Sequence, residues 1–155
     1  MTQVKKGIIL VNLLAFLTFM VYAVWQKETI LKEGKLISLK LAPIDPRSLL
    51  QGDYMQLRYE IVPRFSILKD MPLRGFIIVT LDSNGLASYK RWQKNSSPLG
   101  SDEWPIEYTR TTPSELNIGA PAYFFEEGMQ KKYSNATYGL LRVDKKGRTV
   151  LVGLR

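Results

Sequence analysis

Residues Gly7 to Trp25 read GIILVNLLAFLTFMVYAVW, 19 positions without a charge. At 1.5 Å per residue this run makes about 28 Å of helix, close to the hydrocarbon thickness of a bilayer. No other feature of the chain restricts its fold as strongly, because a segment this apolar must be buried in lipid or in protein. Lys5 and Lys6 precede it, while Gln26, Lys27 and Glu28 follow with little net charge. That bias puts the short N-terminus in the cytoplasm and the chain from Lys27 to Arg155 on the far side. Tyr22 and Trp25 fall where an outer aromatic belt lies. The expected organisation is therefore a cytoplasmic end over 1–6, a transmembrane signal-anchor over 7–25, a juxtamembrane linker over 26–34 and an extracytoplasmic domain over 35–155.

A cleaved signal peptide is the rival reading. Val21-Tyr22-Ala23 offers small residues at the two positions a peptidase inspects. Against it, the apolar run outlasts a usual signal core and continues through Val24 and Trp25 with no polar region before the cut. Within the span, Asn12, Ala15, Phe19 and Ala23 follow 3-4-4 spacing and share one helix face. An amide in hydrocarbon tends to find a partner and small residues admit a second helix, so this face is the expected helix–helix contact. The simpler account is a single Asn tolerated near the inner end.

Beyond the membrane, 20 Lys and Arg face 14 Asp and Glu, once Lys5 and Lys6 are set aside from the total of 22. The excess is scattered in pairs such as Lys90-Arg91, Lys131-Lys132 and Lys145-Lys146, without the aromatic interleaving of a nucleic-acid surface. No nucleic-acid partner is expected. A solvated surface facing anionic lipid or envelope polymers accounts for the charge.

Fold class follows from turn chemistry and alternation. A polar stretch from Lys27 continues the helix for a turn or two until Gly34 ends it. Leu36 to Leu41 alternates as a half-buried strand, stopped by Pro43 and Pro46. Ser48 to Gln51 resembles one helical turn, and Tyr54 to Val62 reads as a second strand with Met55, Leu57, Tyr59 and Ile61 on its inner face. Gly75 to Leu81 and Leu86 to Trp92 flank Asp82-Ser83-Asn84-Gly85, a strong hairpin signal. Trp104 to Thr111 and Ala122 to Phe125 are further strands, and Met129 to Asn135 a brief helix. Tyr138 to Val143 and Thr149 to Leu154 flank a second hairpin turn at Asp144-Lys145-Lys146-Gly147. The sum is a mainly β (α+β) chain: one N-terminal helix, then a mostly antiparallel β domain with one or two short helices.

One string stands out: Gly52-Asp53-Tyr54-Met55-Gln56-Leu57-Arg58-Tyr59-Glu60-Ile61. It resembles the pattern G-D-Y-x-x-L-x-Y-x-I that names the GDYXXLXY family of bacterial membrane-anchored proteins. Asp45-Pro46-Arg47 is similar to that family's lead-in, and Tyr123 to Gly128 and Tyr138 to Arg155 resemble its C-terminal half. The resemblance spans about 36–155. It implies a role beside multi-spanning membrane proteins. The residues can also be read physically. Asp53 shares the parity of Leu57, Tyr59 and Ile61, so its carboxylate points inward, where Arg47 or backbone N–H groups must satisfy it. Gly52 suits the junction of turn and strand. The plain account makes the motif a folding signature. The alternative is a binding pocket around Arg47, Asp53, Tyr54 and Tyr59.

Enzyme chemistry is restricted by two absences, Cys and His. Thiolate nucleophiles, imidazole bases and His-ligated metals are gone. A Ser-Lys dyad is still open, and the topology is similar to that of type I signal peptidases, with Ser48 and Lys90-Arg91 in roughly the right order. The flanking residues do not follow that family: Leu49-Leu50-Gln51 and Trp92-Gln93-Lys94 stand where it has Met and Pro-Thr, and Pro-Gly-Asp. Adjacent carboxylates at Asp102-Glu103 and Glu126-Glu127 would face opposite ways on a strand, so they make no glycosidase pair. No cofactor, metal site or catalytic residue is expected. With what the resemblance implies, the expectation is a non-enzymatic accessory or interaction protein of the bacterial inner membrane, its domain periplasmic or extracellular, with a multi-spanning partner. A ligand- or polymer-binding module using Tyr54, Tyr59 and Trp92 comes second, and a Ser-Lys hydrolase third.

Overall fold

In a computed structural model, residues 3–42, 54–61, 71–112, 115–126, 129–133 and 135–155 are described. Helix α1 runs Gln3–Glu33. Then come β1 (Lys35–Lys40), β2 (Tyr54–Gln56), β3 (Arg74–Leu81), β4 (Ala87–Gln93), β5 (Glu103–Thr112), β6 (Glu115–Ile118) and β7 (Ala122–Phe124). A single helical turn, α2 (Gln130–Tyr133), precedes β8 (Tyr138–Val143) and β9 (Thr149–Leu154). The strands form three antiparallel sheets among the described residues, ordered β1-β8-β9, β2-β7 and β4-β3-β5-β6. The mainly β fold with one long N-terminal helix is as the sequence implies.

The helix end shows why the chain turns where it does. Gly34 N–H donates to the Ile30 carbonyl at 2.9 Å, the last bond of the helical ladder. Its own carbonyl accepts from Arg142 Nη1 at 2.7 Å. A side chain at Gly34 would overlap the Ile30 carbonyl oxygen and crowd the Val143 backbone N and O, each 3.2 Å from a Cβ. Only glycine lets β8 approach this closely. Ile30, 1% exposed, fixes the last turns of α1 against the domain.

Both hairpins form where Asn84-Gly85 and Lys146-Gly147 place them, with φ of 76° at Gly85 and 86° at Gly147. Asp82 and Asp144 each accept two backbone N–H groups through Oδ1, which closes the turns. The core joins Ile37 and Leu39 of β1, Ile77 and Val79 of β3, Ile106 and Tyr108 of β5, and Leu141 and Val143 of β8. The sheets are tied together by Ser38 N–H to Gly85 O (2.9 Å) and Glu107 N–H to Gly147 O (2.8 Å).

The expected long strand from Tyr54 to Val62 is corrected. Regular pairing lasts only through Gln56, opposite Ala122 of β7. Leu57 N–H still reaches Pro121 O at 2.9 Å, but Arg58 O accepts from Ala42 N–H at 2.8 Å and Glu60 N–H donates to Lys40 O at 2.9 Å. The segment leaves one sheet and joins the end of another, a corner of the kind that links packed sheets. Alternation survives the change of partner: Met55, Leu57 and Tyr59 are buried, and Gln56, Arg58 and Glu60 exposed. Strand β6 has no counterpart in the sequence reading. Its signal is short, Leu116 and Ile118 inward just before Gly119 at a φ of 61°.

Candidate functional site

The motif is only partly within the described residues. Asp45, Pro46, Arg47, Gly52 and Asp53 lie outside them, as does Ser48, so the expected Asp53 partnership and the helical turn at 48–51 lie outside as well. Tyr54, Leu57, Tyr59 and Ile61 are described. Leu57 is 7% exposed and Tyr59 4%, while Ile61 packs half-buried on the edge of the same core.

Tyr59 is the most constrained of them. Its ring lies over Gly139 of β8, where a Cβ would come within 2.9 Å of Cε1, and its backbone bridges Leu41. Its hydroxyl is buried without a hydrogen-bond partner among the described residues. Burial therefore raises its pKa well above the ordinary tyrosine value and keeps the phenol neutral. The other tyrosine of the pair turns away: Tyr54 is half-buried and packs on Phe124 across β2–β7, centroids 5.7 Å apart. Trp92 lies on β4 opposite Ile77. The three aromatic residues thus occupy three separate contacts.

Lys90 and Arg91 converge on one carboxylate. Arg91 donates to both oxygens of Glu103 at 2.6 and 2.7 Å, Lys90 Nζ stands 2.8 Å away, and Gly100 N–H donates at 2.8 Å. Two neighbours on a strand reach the same side because the register slips here: Ile78 pairs with Arg91 and Val79 with Tyr89, leaving Lys90 as the extra residue of a bulge. The Arg91 guanidinium, then Gly100 N–H and Lys90, hold the Glu103 carboxyl far below its ordinary pKa. Glu103 is an ionised structural anchor, and the half-exposed Lys90 is bridged to it.

A region that sequence reasoning missed lies where α1 meets the domain. Arg148 of β9's turn donates to Gln26 Oε1 at 2.8 Å and pairs with Asp144 at 2.7 Å. Beside this contact a cavity of about 300 Å³ is lined by Lys27, Glu107, Tyr108, Asn117, Arg148 and Thr149. A second of about 540 Å³, sharing Lys27 and Thr149, is lined on its apolar side by Tyr123, Phe124 and Leu151. Phe124 is 76% exposed at its edge. The approach of Lys27 to residues 122 positions later is invisible to local pattern.

On the helix, Asn12, Ala15, Phe19 and Ala23 do share a face, within about 80° on a helix turning 100° per residue. Gln26 and Ile30, which hold the domain, continue the same stripe. Asn12 Nδ2 donates to the Ile8 carbonyl at 3.0 Å and Thr18 Oγ1 to that of Leu14 at 2.8 Å, so neither polar group is stranded. The helix is long and apolar enough to cross a membrane, and none of its apolar window is buried.

Comparison with curated proteins and with solved structures finds no match. A family model described as GDYXXLXY protein matches residues 16–154, from within the apolar helix almost to the last residue, and the chain belongs to that family.

Proposed function

We propose that the chain is a single-pass protein of a bacterial inner membrane, its N-terminus cytoplasmic and its β domain periplasmic or extracellular, serving as a non-enzymatic accessory subunit of a multi-spanning partner. One observation carries the reading. The stripe is exposed at Asn12, Ala15 and Phe19 and half-buried at Ala23, and it runs without a break into Gln26 and Ile30, which grip the domain. A partner helix lying on that stripe is led directly to the underside of the β domain, so one protein can engage both. The uncharged 19-residue run and its length favour an anchor that is retained.

Because the Asn12 amide is already bonded to its own helix, close approach at Ala15 matters more than polar attraction at Asn12. Ala15→Leu is expected to cut recovery of the partner with full-length protein at least tenfold in mild detergent. Asn12→Leu is expected to cut it by no more than about threefold, the worth of an average interhelical hydrogen bond in lipid. Equal recovery with Ala15→Leu refutes the subunit reading.

A second reading has one observation in its favour. Phe124, exposed and backed by the half-buried Tyr54, lines the 540 Å³ cavity, an aromatic platform on which a sugar ring of an envelope polymer could stack.

A further inference from the structure

The second hairpin folds back along the helix. Val143 pairs with Lys35, one residue past Gly34, so the strand leaves the sheet at the level of the helix end. From there Arg148 reaches Gln26, and α1 touches both β8 and β9. Beyond Val143 the chain turns back at once, Gly147 N–H on the Asp144 carbonyl and Asp144 N–H on the Arg148 carbonyl both at 3.0 Å, and the Arg148 side chain reaches the helix at Gln26, about 12 Å along its axis from Gly34. The turn at Asp144–Arg148 therefore stands beside Gln26, the first residue after the uncharged run that ends at Trp25.

That turn is basic and open. Lys145 and Lys146 are exposed at its tip, Lys27 is exposed on the helix beside it, and none of the three has an ion pair among the described residues. The nearby acids are Asp144, which is committed to Arg148 and the turn backbone, and Glu107, which lines the cavity with Lys27. Gly147 is pressed against Phe76 and receives Glu107 N–H on its carbonyl, so the turn is held rigidly in this position. Rigid placement matters because attraction to a charged leaflet decays within a Debye length of about 8 Å.

We infer that the tip of the β8–β9 hairpin, through Lys145 and Lys146 together with Lys27, is a docking surface for anionic phospholipid headgroups of the outer-facing leaflet. The docking sets the β domain flat against the membrane. It rests on the anchor reading above, since only a membrane-spanning α1 brings Gln26 to the headgroup level.

The test uses the full chain in nanodiscs of phosphatidylcholine alone or with one third phosphatidylglycerol, and lysine acetylation by a neutral reagent followed by mass spectrometry. Lys40, exposed at the end of β1 and five residues, about 17 Å, from Lys35, which pairs with Val143 at the base of the hairpin, is the internal reference. Docking predicts that Lys145, Lys146 and Lys27 react at least fivefold more slowly in the anionic discs, in line with the attraction per lysine near such a surface. Their rates recover in 0.5 M salt while Lys40 stays within twofold. Slowing of Lys145 and Lys146 no greater than that of Lys40 overturns the inference while leaving the anchor intact. A chain that does not co-purify even with neutral discs overturns the anchor reading and the inference with it.

Discussion

Tyr59→Ala is expected to lower the unfolding free energy of the β domain by about 3–5 kcal/mol, the range for emptying a buried aromatic site. Tyr59→Phe is expected to raise it by about 1 kcal/mol, because it removes a buried hydroxyl that has no partner among the described residues. The opposite signs follow from one geometry. The ring fills the space over Gly139 and against Leu41, while the hydroxyl is desolvated without a hydrogen bond to any described residue. Denaturant unfolding of full-length protein in detergent reads both variants. Phenylalanine costing stability would show that the hydroxyl is satisfied in the folded protein. The pair also separates the two accounts of the motif. If Tyr59→Phe keeps partner recovery, the motif tyrosine is a packing residue; if it loses recovery while gaining stability, the hydroxyl serves binding.

The second large effect lies at the junction of helix and domain. Gly34→Ala is expected to cost about 3 kcal/mol, near the top of the range for overpacking, because the atoms in its way are backbone rather than side chain. Ile30 carbonyl and Val143 cannot rotate aside, and the Arg142 bond to Gly34 O must stretch as they part. Gly153→Ala provides the contrast. Nothing lies within 4 Å of a Cβ there, so its effect should stay within about 0.5 kcal/mol. Equal melting midpoints for the two variants would mean that α1 is not seated on β8 as described. Amide exchange across 34–36 and 143–148 should rise in Gly34→Ala alone.

What the sequence disclosed was local. The two hairpins are written in their turns, since Asn84-Gly85 and Lys146-Gly147 place a positive φ between alternating runs, and β8 and β9 fall within the bounds their alternation implies. The helix end was equally legible, from a polar stretch closing on Gly34. What local pattern could not disclose is choice of partner. Tyr54 to Ile61 alternates throughout, yet it changes sheets at Leu57 because β7 and the end of β1 happen to meet there. Lys90 and Arg91 read as a solvated basic pair, and a one-residue slip against β3 turns both to Glu103. The contact of Gln26 with Arg148 joins residues 122 apart, and with it the basic hairpin tip and the cavities beside Lys27 come into being. Of the motif, only its second half could be weighed physically, and there Leu57 and Tyr59 act as core residues.

The central claim is that the stripe below the domain holds another membrane protein. It is tested most directly by placing a photo-crosslinking amino acid at Phe19, on the stripe, and at Val21, about 160–180° around the helix, in intact cells. The account predicts a discrete adduct with one multi-spanning protein from position 19 and none from position 21. No adduct at 19, or equal adducts from both faces, would contradict it.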